Sequence, residues 1–235
     1  MLKIDLHTHT IASGHAINTV FELAYFASQN GITHLGISDH GPSMKGASHA
    51  EYFWISEQVD ELYGVRVYLG IEANILNNEG DIDLPIDLLK KQKIVYAGLH
   101  NLTPFESQGK EYNTTSIIKA IQNPFVKFIS HPYRPEFPVN LDEIFYASVK
   151  HNTILELNNN LFSHSESLAE LIPVYRSLVA LCKKDNRKLI IGSDAHLATK
   201  VGNDNFINLI FKELGLTPEI ILNNYPSEVE AFLNS

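Results

Sequence analysis

Lys188-Leu189-Ile190-Ile191-Gly192-Ser193-Asp194-Ala195-His196 is a short apolar run that stops at a glycine and then presents a carboxylate and an imidazole two residues apart. A run this short and this continuously apolar suits a parallel strand buried on both faces, because a strand with one wet face alternates instead. Residues 2–6, 34–38, 65–71, 94–99, 126–130 and 154–157 are six further β-rich runs, which makes seven candidate strands with 188–191. Helical periodicity fills the intervals. Residues 19–29 carry Val20, Leu23, Ala24 and Ala27 on one face, and similar stretches cover 51–63, 115–122, 141–150 and 167–184, with 206–214 and 227–233 closing the chain. Gly31 supplies a stop for the first helix. Strand–helix alternation sustained over 235 residues predicts an α/β fold with a parallel sheet. At roughly 30 residues per βα unit, a closed or nearly closed barrel of about seven units is favoured over an open sheet. No linker or low-complexity segment divides residues 1–235, so a single domain is expected.

The placement of the eleven histidines is the chemical signal. His7 and His9 end the first run, His40 follows the second, Glu72 follows the third, His100 ends the fourth, His131 ends the fifth, and Asp194 with His196 follow the seventh. Six of the seven runs therefore deliver a metal-competent side chain just past their carboxyl ends. In a parallel barrel those ends share one mouth, where such folds place their chemistry. In extended backbone, residues i and i+2 point the same way, so His7 with His9, and Asp194 with His196, can grip one ion together. Imidazole and carboxylate suit zinc and also manganese or iron. Glu72 has two oxygens and can bridge two ions. A lone histidine at a strand end is ordinarily a hydrogen-bonded structural residue; coincidence at six ends is a poorer explanation than a shared site.

Composition narrows the function classes. The net charge is −9, from 27 acidic and 18 basic side chains, which argues against a nucleic-acid partner. Three divalent ions would reverse that sign inside one pocket, so a small anionic substrate stays compatible. No run approaches the twenty or so apolar residues of a membrane span, and the N-terminus has no signal-like stretch. Cys182 is the one cysteine, in an apolar helical run, and fits a buried thiol in a cytoplasmic protein.

Asp5-Leu6-His7-Thr8-His9-Thr10, Ser38-Asp39-His40-Gly41, Gly70-Ile71-Glu72-Ala73-Asn74, Ser130-His131-Pro132 and Gly192-Ser193-Asp194-Ala195-His196 together closely resemble the polymerase and histidinol phosphatase (PHP) superfamily, and within it the stand-alone bacterial phosphatases. The likeness runs from residue 3 to the C-terminal helix. It implies a distorted seven-stranded (β/α)7 TIM-like barrel whose site holds three divalent metal ions, usually zinc, sometimes manganese or iron. By position, His7, His9, Glu72 and Asp194 would hold the first ion, Glu72, His100 and His131 the second, and His15, His40 and His196 the third. His15 lies in the loop Ile11-Ala12-Ser13-Gly14-His15, whose glycine lets the chain turn back over the site. Asn101-Leu102 and Tyr133-Arg134, at the substrate mouth, depart from the family pattern. Some relatives assemble as trimers, so a homo-oligomer is among the expectations.

The activity implied is hydrolysis of a small phosphomonoester by a metal-bound hydroxide, with Glu72 bridging ions and Asp194 accepting or relaying a proton. Arg134 is suited to fork onto phosphate oxygens, or else to pair with Glu136. Asp5, Asp39, Glu156 and Asn158 are candidates to orient ligands, with simple ion pairing as the alternative for Asp5 and Glu156. His49 and His164 sit in loops on the active face, Tyr52, Phe53 and Trp54 can wall a pocket or pack in the core, and His34 and His151 read as structural. Competing functions are a phosphodiesterase or other amidohydrolase-like reaction at the same metals, and a non-catalytic or proofreading polymerase-associated module.

Overall fold

The computed structural model describes residues 2–57, 59–163 and 168–235. All seven expected strands form: β1 (Ile4–Asp5), β2 (His34–His40), β4 (Val65–Asn74), β5 (Ile94–Gly98), β6 (Phe128–Ile129), β7 (Ile154–Asn158) and β8 (Ile190–Gly192). They pair in parallel in the order β1-β2-β4-β5-β6-β7-β8. The seam between β8 and β1 closes in two ways. Above the strands, the Asp194 N–H donates to His7 O at 2.9 Å and the His9 N–H to Ala195 O at 3.0 Å. Lower down, the Asn223 side chain takes the place of a peptide unit: Nδ2 donates to Ile4 O and Ile191 O, and Oδ1 accepts from the Ile191 N–H, each at 2.8 Å. The result is a nearly closed barrel in a single domain.

Helices α1 (Val20–Gln29), α2 (Ile86–Leu89), α3 (Lys110–Ile121), α4 (Leu141–His151), α5 (Leu168–Lys184), α6 (Asn205–Leu214) and α7 (Pro226–Leu233) accompany the strands. Helix α1 opens on a capping box, with the Thr19 hydroxyl accepting from the Glu22 N–H and the Glu22 carboxylate accepting from the Thr19 N–H. Among the described residues, the helix expected over 51–63 is not there. Residues Ala50–Glu57 form 3-10 turns, and Glu61–Leu62 is a short strand, β3, antiparallel to β4. Tyr63 and Gly64 have φ of 54° and 74°, the double left-handed turn that joins hairpin strands and that no helix accommodates. Helix α3 begins before the expected residue 115, at Lys110. Its polar first half hides it from a periodicity reading, and Thr114 and Ser116 bond back to the Lys110 and Tyr112 carbonyls. No helix among the described residues is long and apolar enough to cross a membrane.

Two cores support the site. Leu35, Ile37, Ile71, Ile129, Leu155 and Leu157 face the helices, while Ile4, Leu6, Ile94, Tyr96, Phe128, Ile154 and Ile190 fill the barrel axis. Tyr96 stacks on Phe128 at 4.7 Å, and Val229 and Leu233 of α7 join the same cluster. Each such fully buried aliphatic or aromatic side chain contributes about 1.5–3 kcal/mol. The interior is therefore solid below, leaving the carboxyl ends of the strands as the place where polar side chains gather.

Candidate active site

Glu72 is the hub of that mouth. It is 1% exposed, and its Oε1 lies 3.0 Å from His100 Nε2 and 3.1 Å from His131 Nε2. Its Oε2 lies 3.1 Å from His40 Nδ1, 3.2 Å from His7 Nε2 and 3.5 Å from His9 Nε2. Asp194 Oδ1 closes the other side, 3.1 Å from His9 Nε2, 3.4 Å from His196 Nδ1 and 3.7 Å from His7 Nε2. His196 Nε2 meets His15 Nε2 at 2.9 Å. All nine residues named from the sequence as ligands thus gather in one cluster. Among the described residues, three sets have donor atoms mutually within 4.8 Å: His7, His9 and Asp194; His40, Glu72 and His100; and His9, His40 and His196. His40 belongs to two of them, so it stands against Glu72 as well as beside His15 and His196.

Local backbone geometry aims these groups. Asp194 and His131 have φ of 53° and 27°, left-handed conformations costing about 1–3 kcal/mol each in a residue with a side chain. The Asp194 N–H bond to His7 O holds the first, and the His131 N–H bond to Glu156 Oε2, at 2.9 Å, holds the second. Gly14 has φ of 84°, and a Cβ there would stand 2.3 Å from the Gly46 carbonyl, so only glycine brings His15 over the mouth. A Cβ on Gly192 would meet Glu156 Oε1 at 2.1 Å.

The donor set fits metal ions. His7 Nδ1 donates to Glu156 Oε1 at 2.6 Å, His15 Nδ1 to Ser13 O at 3.1 Å and His196 Nδ1 to Asp194 O at 3.0 Å, and His9 Nδ1 lies 3.0 Å from the Ser13 hydroxyl. In the neutral form of a ring whose proton sits on Nδ1, Nε2 is bare. The Nε2 atoms of His7 and His9 face each other at 3.1 Å, as do those of His15 and His196 at 2.9 Å. Opposed lone pairs at that spacing repel unless a cation lies near both. His40 Nδ1 is buried, and although Glu72 Oε2 stands 3.1 Å away the two are not aligned as a hydrogen bond, so this nitrogen has no such partner among the described residues.

Burial lowers the imidazoles of His9, His15, His40 and His100, His40 most plainly, and keeps them neutral at neutral pH, the ligand form. For His7, burial is outweighed by Glu156, Glu72 and Asp194, which hold it well above its usual value. Three carboxylates there call for positive charge, and a divalent ion at Nε2 supplies it in place of a proton. Burial pushes Glu72 and Asp194 upward, but the surrounding imidazoles, His7 foremost, keep both well below the carboxylate range.

The chain is covered by the model of the PHP domain over residues 5–233. It belongs to the PHP domain family. This PHP protein is 36% identical over 234 residues to a "probable phosphatase" of Clostridium novyi, covering 99% of this chain and 94% of the relative. It is 37% identical to a "probable phosphatase" of Caldanaerobacter subterraneus, covering 99% and 91%. Among solved structures, histidinol phosphate phosphatase from Lactococcus lactis, complexed with zinc, L-histidinol and phosphate, has the same fold. Its TM-score is 0.64 at 15% identity, over 92% of this chain and 94% of that one.

The residues around the cluster sort differently from the sequence reading. Glu156 and Asn158 do orient site residues: Asn158 Nδ2 donates to Glu156 Oε2 at 3.1 Å and to Asp194 Oδ2 at 3.2 Å. Asp5 does not touch an imidazole. It accepts the backbone N–H groups of His7, Ser193 and Gly202 at 3.4, 3.1 and 2.7 Å, fastening β1 to the loop beyond β8. Arg134 lines the mouth, and its Nε lies 3.6 Å from Glu136 Oε2, so both sequence readings of it are compatible with its position. Tyr52, Phe53 and Trp54 do not wall the cavity: Tyr52 bonds Asp39, Phe53 is core, and Trp54 is half exposed under the Lys91 ammonium. His49 is exposed and lies outside the cavity lining, and His164 falls outside the described residues. Sequence reasoning missed Ser13, whose only signal was its place two residues before His15.

Proposed function

We propose that this PHP-domain protein hydrolyses a phosphomonoester of a small metabolite at a site holding three divalent ions, zinc with manganese or iron as alternatives. The phosphoric ester hydrolase class follows from relatives named as phosphatases along nearly their whole length. The observation that carries the metal reading is the facing of bare imidazole nitrogens across Glu72 and Asp194 at 2.9–3.7 Å. His7, His9, Glu72 and Asp194 would hold one ion, Glu72, His100 and His131 a second, and His15, His40 and His196 a third, with His40 also within reach of Glu72. Bound there, the ions supply Lewis acidity for the phosphoryl oxygens and acidify water at neutral pH.

The chain's own groups do the rest. Asp194 Oδ1 faces the cluster and its Oδ2 is steadied by Asn158, which supports a role for Asp194 in taking the proton of the attacking water and returning it to the leaving alkoxide. Arg134 offers a planar pair of N–H donors to non-bridging phosphate oxygens at the rim. The cavity measures about 880 Å³, well beyond one phosphoryl group, and Met44, Leu102, Glu136 and Asn160 line the part available to the rest of a small substrate. A reducing compartment such as the cytoplasm suits the buried free thiol of Cys182.

The test is hydrolysis of p-nitrophenyl phosphate against its bis-ester, with metal content measured on the same sample. Turnover of the monoester with about three ions per chain is expected. Preference for the bis-ester overturns the monoesterase reading. Glu72→Gln should weaken two ions rather than one, and full occupancy in that variant sinks the bridge.

A further inference from the structure

Beneath the cluster, outside the cavity lining, Ser13 is fully buried and makes three polar contacts that together leave no freedom in its hydroxyl. Its Oγ lies 2.7 Å from Asp39 Oδ1, 3.0 Å from His9 Nδ1 and 3.1 Å from the His40 backbone N–H. Asp39, itself fully buried, also accepts from the Thr10 N–H at 2.6 Å, from the Thr10 hydroxyl at 2.7 Å and from the Tyr52 phenol at 2.7 Å. Burial, and then Asp39 itself, raise the Tyr52 phenol above its ordinary value, so it keeps its proton and remains a donor.

A serine hydroxyl has one hydrogen and two lone pairs. The carboxylate of Asp39 takes that hydrogen, because Asp39 acts only as an acceptor here. The His40 N–H is a fixed donor and occupies one lone pair. The remaining lone pair faces His9 Nδ1, and that contact is a hydrogen bond only if Nδ1 carries the proton. In the neutral ring Nε2 is then bare, and Nε2 is the atom that stands 3.1 Å from both Asp194 Oδ1 and His7 Nε2.

We propose that Ser13 is a positioning residue that fixes the tautomer of His9, with Asp39 and Tyr52 holding the Ser13 hydroxyl in the one orientation that does so. The chain Tyr52–Asp39–Ser13–His9 thereby links the 3-10 segment Ala50–Glu57 outside the barrel to a ligand atom inside it. It also ties His9 and the backbone of His40 to one oxygen, so the two adjacent rings, 4.6 Å apart, are set together. The inference rests on the ligand role given to His9 above. What it adds is the group that prepares His9 before any ion arrives.

The experiment uses the full chain stripped of metal, labelled with 15N at imidazole, and compares wild type, Ser13→Ala and Tyr52→Phe. Nitrogen shifts report which ring atom of His9 carries hydrogen, and zinc affinity is read by competition with a chromophoric chelator. In wild type, His9 should be protonated at Nδ1. Ser13→Ala should populate the Nε2–H form and weaken zinc binding 10–100-fold, the usual effect of removing a group that orients a metal-binding histidine. Tyr52→Phe removes one of four donors to Asp39 and should weaken zinc binding less than tenfold with the Nδ1–H form retained. A Ser13→Ala protein whose His9 keeps the Nδ1 proton and whose zinc affinity matches wild type overturns the proposal. So does a variant that loses only thermal stability, since a structural role moves melting but not the tautomer. Should wild-type protein bind no zinc, the metal reading fails, while the tautomer comparison still decides what Ser13 does.

Discussion

Asn223→Ala removes the side chain that closes the lower seam of the barrel. Three hydrogen bonds of 2.8 Å disappear, leaving the Ile4 and Ile191 carbonyls and the Ile191 N–H without a partner in a position where Asn223 itself is 2% exposed. At a net worth of about 1 kcal/mol per bond, and about 1–3 kcal/mol for each polar group stranded in the interior, the loss should be at least about 3 kcal/mol. For a domain of this size, about 2–4 °C per kcal/mol makes that a fall in Tm of about 6–12 °C. Asn223→Asp is the sharper variant. It preserves size and the acceptor for the Ile191 N–H, yet it turns a carboxylate toward two carbonyl oxygens that need donors, so it should be less stable than the alanine. The assay is reversible urea or thermal unfolding of metal-free protein; the zinc content of protein not stripped of metal is measured in parallel and expected to be unchanged, because the candidate ligands on β1 and β8 lie past the carboxyl ends of those strands, beyond the residues that Asn223 bonds. A loss under about 1 kcal/mol in Asn223→Ala, or an aspartate as stable as wild type, refutes the claim that this side chain closes the seam.

Glu156→Gln should weaken zinc binding about 10–100-fold despite equal size. The His131 N–H and the Asn158 amide hold the glutamine oxygen on their side, so its NH2 faces His7 Nδ1 and drives the His7 proton onto Nε2; wild-type affinity, read by chelator competition, would refute this. Leu102 is 60% exposed at the mouth with φ of 63°, so Leu102→Gly relieves about 1 kcal/mol of strain. Stability should hold or rise while KM for p-nitrophenyl phosphate increases severalfold at nearly constant kcat; an unchanged KM would remove Leu102 from substrate binding. Burial pushes the Cys182 thiol up to about 12, so it should resist thiol reagents in native protein and react on unfolding. Up to about pH 7.5, roughly a unit below the ordinary value of an unfolded thiol, Cys182 is neutral in both states and contributes no pH dependence. Above that, ionisation of the unfolded chain draws stability down, which urea unfolding at pH 8 and 10 checks against Cys182→Ala.

Periodicity located seven strands and most helices because burial on both faces of a parallel sheet, or on one face of a helix, writes itself into local spacing. It failed where the deciding force was local backbone geometry. The left-handed pair Tyr63 and Gly64 turned an apparent helix into a hairpin, and side-chain bonds back to carbonyls extended α3 through a polar stretch.

The same division holds for the site. By itself the sequence determined the fold class and the candidate ligands, since an ordered set of imidazoles and carboxylates at strand ends leaves few alternatives once the strands are parallel. Only the tertiary structure decided how those groups are prepared. Asp39 neighbours His40 in sequence but acts on His9 through Ser13, Glu156 from the sixth of the expected strands orients His7 from the first, and Asp5 serves the backbone. Proton direction in a hydrogen bond depends on what every neighbour of a shared oxygen donates or accepts. Those neighbours are set by the pairing of distant strands, which local spacing does not encode.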